Sequence, residues 1–341
     1  NWSAGVPTAA DRALFPTVAN SVITIPVSQS VSGLVFNNSS NATFKGEGGN
    51  QFLGVGAQGI VVDAGTLTIG VSTDTERLGI RLTDSQSWTN NRANTDGTTL
   101  VIVSAANAGI DLQSHTLTVN GTGVTSLAGP LTGTGGIVKS GSGVVDFNAG
   151  GNPNFTGGVV MNAGLLQIRD SSSANSGPLG NPTSSVLTIN GGTLTARGTA
   201  GSTRTVANPM VWSGDFTVGP PPTVDLVNLA LTGSATLSGA NTVRTVTVGN
   251  SDGLPTFSVG QIGDGGNNVG ITKNGNGTLV FLGNNTYTGL TTVSAGSLQL
   301  GNGGSVAGNI ALDGSSTRLV IDRSTGLVYG GVISGDGSIV K

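Results

Sequence analysis

Three closely spaced glycines early in the chain have the pattern of a dinucleotide-binding loop. Gly54, Gly56 and Gly59 in FLGVGAQGIVV fit GxGxxG, and Asp74 and Glu76 follow near the distance of a ribose-binding carboxylate. That loop must open a helix, whereas here the last glycine runs into IVVDAGTLTI, which alternates as a strand does. With 58 Gly in 341 residues, chance matches are expected, so we predict a strand and no nucleotide site.

Metal and acid–base chemistry has few candidate residues. His115 is the only histidine and there is no cysteine, which excludes a two-histidine metal site, a thiolate site and a cysteine nucleophile. By alternation His115 shares a strand face with Leu117 and Val119, so we predict a histidine at the edge of the core. The GDGGNN run at 263–268 lacks the spacing of calcium-binding repeats. We predict no cofactor and no metal.

Clustered carboxylates would indicate a polysaccharide lyase or hydrolase. The 17 acidic residues are mostly isolated aspartates in turn sequences such as DG at 313–314, where Asp favours the turn geometry. The densest charged group consists of Asp74, Glu76, Arg77, Arg81 and Asp84. We interpret it as a solvated loop face. An enzyme is therefore our third hypothesis, and we predict that the chain is not one.

Charge is sparse along the whole sequence. Charged residues are 9% of the chain, against roughly 25% in an ordinary soluble domain. The 14 basic residues are scattered and form no cluster that could neutralise phosphates, so we predict no nucleic-acid partner. No apolar run approaches the roughly 18 residues that span a bilayer, so we predict no membrane insertion by this chain.

Short repeated strands must position whatever sites exist. The recurring units, each a small or polar residue, a glycine and an alternating strand, are DAGTLTI (63–69), NAGLLQI (162–168), NGGTLTA (190–196) and SAGSLQL (294–300). Period-two alternation puts the apolar residues on one face, and the glycine permits the positive φ of a sharp corner. Stacking such units predicts an all-β, parallel β-helix, or β-solenoid: an elongated rod with coils of roughly 20 to 25 residues.

A longer repeat contains two of these units. Residues 136–168 align with residues 270–300 if one two-residue insertion is allowed, and GDGSIVK at 335–341 begins a third copy. The aligned pairs are Lys139 and Lys273, Phe147 and Phe281, Phe155 and Tyr287, and Leu166 and Leu298. Lys341 occupies the lysine position of the third copy, so we predict an ammonium group at the same corner each time.

These residues resemble the autotransporter-associated β-strand repeat, also called the passenger-associated transport repeat. The resemblance covers about 131–341 and rests on the order of ITKNGNGTLVF, NNTYTG and SAGSLQLG. The opening segment Asn1–Pro26 is similar to the one that often precedes such repeats. The resemblance implies a right-handed β-helix outside the cell, at the bacterial surface, as stalk, passenger or matrix. It brings no catalytic residues.

We predict two solenoid portions. The first covers 1–130, with a cap segment at about 1–36 and a loop insertion at 77–97. The second covers 131–341, with repeats at 131–180 and 262–301 and a truncated copy at 331–341.

The leading functional hypothesis is a structural extracellular protein, the subunit of a bacterial fibre, stalk or matrix that assembles with itself. VISGDGSIVK at 332–341 is strand-like and has no polar cap, so a neighbour's strands at 21–26 and 31–36 could continue its ladder head to tail. The predicted interface consists of Ser21, Val22, Ile23, Thr24, Ile25, Val31, Leu34, Phe36, Val332, Ile333, Ile339, Val340 and Lys341.

The alternative is an adhesin or glycan-binding passenger, whose partners are cell-surface or matrix glycans. It would present the long polar run at 77–97 as a recognition loop. The predicted ligand residues are Arg77, Arg81, Trp88 and Arg92.

Overall fold

The computed structural model describes residues 8–15, 21–71, 76–92, 100–102, 109–219, 227–249 and 256–341. Within these ranges the regular structure is β-strand, and no helix that could cross a membrane occurs there. The strands are β1 (Arg12–Phe15), β2 (Ser21–Ile25), β3 (Gln29–Gly46), β4 (Gln51–Ile69), β5 (Leu78–Leu82), β6 (Gln86–Asn90), β7 (Leu100–Ile102), β8 (Ile110–Asp111), β9 (Leu117–Gly121), β10 (Val124–Leu127), β11 (Leu131–Thr132), β12 (Ile137–Lys139), β13 (Val144–Phe147), β14 (Val159–Met161), β15 (Leu165–Ile168), β16 (Leu187–Ile189), β17 (Thr193–Ala196), β18 (Thr203–Val206), β19 (Met210–Trp212), β20 (Phe216–Val218), β21 (Asn228–Leu231), β22 (Ala235–Leu237), β23 (Val243–Val248), β24 (Thr256–Val259), β25 (Ile262–Gly263), β26 (Gly270–Asn274), β27 (Thr278–Phe281), β28 (Thr291–Val293), β29 (Ser297–Leu300), β30 (Ile310–Leu312), β31 (Arg318–Ile321), β32 (Ile333–Gly335) and β33 (Ser338–Val340).

The strands stack in parallel on three faces, and some coils have strands on only two of them. The first face contains β1, β3, β4, β6, β9, β12, β14, β16, β19, β22 and β25. The second face contains β2, β3, β4, β7, β10, β13, β15, β17, β20, β23, β26, β28, β30 and β32. The third face contains β3, β4, β5, β8 and β11 in the early coils, and a separate parallel sheet of β18, β21, β24, β27, β29, β31 and β33 in the later ones. The predicted all-β parallel solenoid is confirmed.

A continuous apolar core runs inside the coils because each strand turns alternate residues inward. In Leu187–Ile189 and Ile310–Leu312 the outer residues are buried and the middle residue is half-buried. Parallel register then places like residues over like residues from coil to coil, as with Leu279 over Leu298 over Leu319. Full burial of each such side chain stabilises the fold by about 1.5–3 kcal/mol.

The ladders continue through residue 130, and the first half of the predicted loop insertion is part of them. β5 and β6 lie within 77–97, because Leu78, Ile80 and Leu82 alternate inward and pack in the core. Most of residues 77–92 of the predicted loop insertion at 77–97 are therefore strand rather than loop, and a recognition role for the segment stays a prediction. Residues 93–99 lie outside the described residues, as do 1–7 and 16–20 of the opening segment.

The dinucleotide-like glycines lie inside β4, which confirms that this pattern is a strand. Gly59 has a φ of 61°, and a Cβ there would lie 1.9 Å from the Ser87 carbonyl oxygen in the next coil. Glycine is thus required by close coil packing rather than by a phosphate. Asp74 lies outside the described residues, and Glu76 forms an ion pair with Lys45.

Successive copies of the long repeat start on different faces. In the first copy Lys139 ends β12, a first-face strand, whereas in the second Lys273 lies in β26 on the second face. Lys341 follows β33 on the third face. The prediction that the three lysines occupy the same corner is therefore wrong. From one copy to the next, the chain completes a number of coils and then advances by one more face, so each lysine lies in or just after a strand of a different face.

Candidate functional site

Two of the three repeat lysines, Lys139 and Lys273, are buried inside their turns. Lys273 is 0% exposed, and its Nζ donates to the carbonyls of Asn274 (3.1 Å), Gly275 (2.6 Å) and Ala295 (3.0 Å). Burial lowers the pKa of Lys273 to about 8, so the ammonium form persists at neutral pH. The sequence offered no structural reason for this lysine; the structure supplies one, because its ammonium group satisfies the turn carbonyls.

Lys139 repeats this arrangement with one fewer bond. Its Nζ donates to the carbonyls of Ser140 (2.6 Å) and Gly141 (2.8 Å), and burial lowers its pKa to about 8. Gly164 in the next coil has a φ of 72°, and a Cβ there would lie 2.5 Å from the Lys139 Nζ. The AG pair of one unit therefore makes room for the lysine of the preceding one.

A buried carboxylate organises the GDGGNN turn. Asp264 is 1% exposed; its Oδ1 accepts from the Gly266 amide, and its Oδ2 accepts from the Val269 amide and from the amide and hydroxyl of Thr288. Burial opposes ionisation, but these hydrogen bonds together outweigh it and lower the pKa to about 2. A carboxylate so surrounded by donors is not oriented as a cation ligand.

The other candidate residues for acid–base or metal chemistry do not form a cluster in the described part of the chain. His115 lies half-buried just before β9, at the edge predicted for it. In the described ranges no group of three or more His, Cys, Asp or Glu side chains could hold a metal ion.

The residues of the predicted ligand loop do not converge. Trp88 is 1% exposed and donates from Nε1 to Gln86, so it is a core residue and cannot be a contact platform. Arg81 lies over the Phe52 ring and pairs with Asp111. Arg92 donates from Nη1 to Thr66, and the backbone carbonyl of Arg77 accepts from the Gln51 amide.

The residues of the predicted head-to-tail interface fall into a partly buried N-terminal group and an exposed C-terminal group. Val31, Leu34 and Phe36 are buried in the core, and Gly33–Phe36 pairs with β1 on one side and β4 on the other. They cannot receive a neighbouring strand, because both backbone edges are used. Ser21, Val22, Ile23, Thr24 and Ile25 form β2, the first second-face strand of the described chain, with Ile25 in the core.

The C-terminal residues of the predicted interface are mostly exposed. Val332, Ile339 and Val340 are 63%, 54% and 42% exposed, Ile333 is half-buried and Lys341 is exposed. Ile339 pairs with Leu319 and Ile333 with Ile310, so these two isoleucines continue core stacks.

A cleft lined by arginines lies on the side of the rod. Its lining, in the described part of the chain, is Asn148, Arg169, Arg197, Gly198 and Arg204. Asn148 and Arg169 directly follow the paired strands β13 and β15, and Arg197 follows β17. The residues after paired strand ends are therefore stacked coil upon coil, at about 4.8 Å per coil.

Two arginines of the cleft are held in place through their Nε edges. Arg169 donates from Nε to both carboxylate oxygens of Asp146, at 2.8 and 2.7 Å, and Asp146 is 1% exposed. Arg204 donates from Nε to the Arg197 carbonyl at 2.9 Å. Gln167 also donates to Asp146, so three hydrogen bonds from two side chains hold this buried carboxylate.

The arginines were missed at the level of sequence, although a signal was present. NAGLLQI and NGGTLTA are each followed by arginine, whereas DAGTLTI and SAGSLQL are followed by glycine. Two consecutive coils with the same basic residue after the strand indicate a basic column.

Comparison with known protein families matches the two segments that contain the buried lysines. The family model described as Passenger-associated-transport-repeat matches residues 137–168 and 271–300. Both segments are passenger-associated transport repeats. The buried lysine is therefore the third residue of each matched repeat, and the truncated copy at 335–341 lies outside both matches.

A curated relative points to the same class of protein. The chain is 40% identical over 109 residues to the adhesin BmaC autotransporter of Brucella suis biovar 1 (strain 1330). The aligned part is 31% of this chain and 3% of that adhesin, so the chain spans a small fraction of its relative. No solved structure matches the chain. The passenger-associated transport repeats and this similarity imply a surface-exposed or secreted protein.

Proposed function

We propose that the chain is part of the solenoid passenger of an autotransporter-type adhesin. In this proposal the rod holds a binding surface away from the bacterial cell, and its partners are glycans of other cells or of the extracellular matrix. The observation that carries it is the local similarity to an adhesin within a solenoid that contains passenger-associated transport repeats. The proposed role is non-enzymatic, in keeping with that similarity to an adhesin.

Cell binding by the purified chain tests this function. We expect labelled chain to bind host cells or immobilised matrix saturably and to be displaced by unlabelled chain. The control is another β-solenoid of similar length and net charge. Binding no stronger than that of the control, across a panel of cells and matrix preparations, would contradict the adhesin proposal.

A second candidate is a fibre or matrix subunit that stacks head to tail. Ile333 and Ile339 favour it, because they continue core stacks and Ile339 is nevertheless 54% exposed. The coil that covers them would come from more of the same polypeptide or from a second copy.

Electron microscopy separates the two candidates. The adhesin proposal expects single rods of residues 1–341, whereas the fibre candidate expects filaments that Ile339→Lys abolishes, because a lysine there would bury a charge at the contact. Filaments unchanged by Ile339→Lys would exclude stacking through this coil.

A further inference from the structure

We infer that the arginine cleft binds the carboxylate or sulfate group of an anionic saccharide. This inference rests on the proposed function only for where the saccharide comes from, namely the glycans of a host cell or matrix. The preference for an anionic group is argued from the residues of the cleft alone. The arginines lining it are three of only 14 basic residues in the chain. Guanidinium groups recognise planar or tetrahedral oxyanions through paired N–H donors, which a lysine ammonium cannot present in a fixed fork.

Arg204 is the residue oriented best for such a ligand. Its Nε is occupied by the Arg197 carbonyl at 2.9 Å, which directs the rest of the guanidinium group away from that carbonyl. Among the described residues the Nη atoms of Arg204 donate to no other protein group. They are therefore available to an oxyanion.

Gly198 creates the place in which Arg204 lies. A Cβ at Gly198 would lie 2.2 Å from Arg204 Nη2 and 2.9 Å from its Cζ. Any side chain there would displace the guanidinium group. The glycine thus keeps Arg204 against the backbone and inside the cleft.

Arg169 adds a second oriented guanidinium group. Its Nε and Nη2 both contact Asp146, so the buried carboxylate holds that edge and leaves Nη1 on the other. Asp146 compensates one positive charge of the cleft. In the described part of the chain no carboxylate belongs to the lining itself.

The size and polarity of the cleft favour a sugar unit. The cleft measures about 260 Å³, below the roughly 300–1,000 Å³ of pockets that enclose drug-sized ligands. Its lining contains arginine, asparagine and glycine and no apolar side chain among the described residues. The exposed Asn148 amide can bond a sugar hydroxyl beside the anionic group.

Titration of the purified chain with three saccharides tests this inference. The probes are sialyllactose for a carboxylate, a chondroitin sulfate disaccharide for a sulfate, and lactose as the neutral control. We expect at least one anionic probe to bind about ten-fold or more tightly than lactose, because bonds to charged groups are the stronger ones. Its affinity should fall as salt rises.

Three variants locate the binding. Arg204→Gln should weaken the anionic probe about ten-fold. Gly198→Ala keeps every charge but displaces Arg204, and should weaken it comparably. Arg318→Gln, at an exposed strand position on the third face, is the matched control and should leave affinity unchanged. Equal melting temperatures of all variants would show that the fold is intact.

The outcomes separate this inference from the proposed function. Equal binding of lactose and the anionic probes, or an Arg204→Gln affinity equal to wild type, would overturn the cleft as the site. Equal binding of cells and of the anionic probe by the wild-type and Arg204→Gln chains would leave the adhesin function standing and refute the cleft. Anion binding that Arg204→Gln abolishes, without any cell binding, would establish the cleft and refute the adhesin function.

Discussion

Replacing Lys273 with methionine should lower the free energy of unfolding by about 2–3 kcal/mol. Methionine keeps the buried volume but leaves the carbonyls of Asn274, Gly275 and Ala295 without their donor. Burial also disfavours the ammonium group, which is the reason for its lowered pKa, and the loss is therefore smaller than three full charge-assisted bonds. Chemical denaturation measures the change.

Two related variants make this prediction specific. Lys139→Met removes two hydrogen bonds instead of three and should cost less than Lys273→Met. Lys341→Met alters an exposed lysine at the same motif position and should change stability by less than about 0.5 kcal/mol. An equal effect of Lys273→Met and Lys341→Met would refute the structural role of the buried ammonium.

Replacing Asp264 with alanine should cost about 3 kcal/mol, because buried donors lose their acceptor. The donors are the amides of Gly266, Val269 and Thr288 and the Thr288 hydroxyl. Since Thr288 lies in the following coil, amide hydrogen exchange should accelerate in both the 264–269 turn and around Thr288. Asp313→Asn, at an exposed turn aspartate, is the control and should be nearly neutral.

Asp264 should also make the fold sensitive to acid. Its pKa is near 3.8 in the unfolded chain and about 2 in the folded one, so the unfolded state binds more protons between these values. The contribution of Asp264 to stability is therefore complete above about pH 5 and is lost as pH falls through about 2. The stability difference between wild type and Asp264→Ala should shrink over that window. A difference that stays constant from pH 5 to pH 2 would show that ionisation of Asp264 does not contribute.

Period-two alternation was sufficient to predict the solenoid, because each AGxLxL unit turns its apolar residues inward. Trp88 shows where this reasoning failed. Its surroundings are rich in Asn, Thr and Arg and read as a polar loop, although Leu78, Ile80 and Leu82 alternate in the strand before it. In this segment alternation indicates burial better than composition does.

The buried lysines and the arginine cleft could be predicted only in part. Hydropathy places Lys139 and Lys273 outside, and their burial depends on carbonyls that converge only once the turns are folded. Arg169 and Arg197 follow equivalent strands and could have been recognised as a column. Arg204 lies in β18 on the third face and reaches the same cleft. The spacing of residues in the sequence does not reveal that the two faces meet there.

The one-face advance between repeat copies gives the rod a directional property. Lys139, Lys273 and Lys341 mark turns after the first, second and third faces in succession. Features attached to equivalent turns therefore radiate around the long axis instead of lining up along one side.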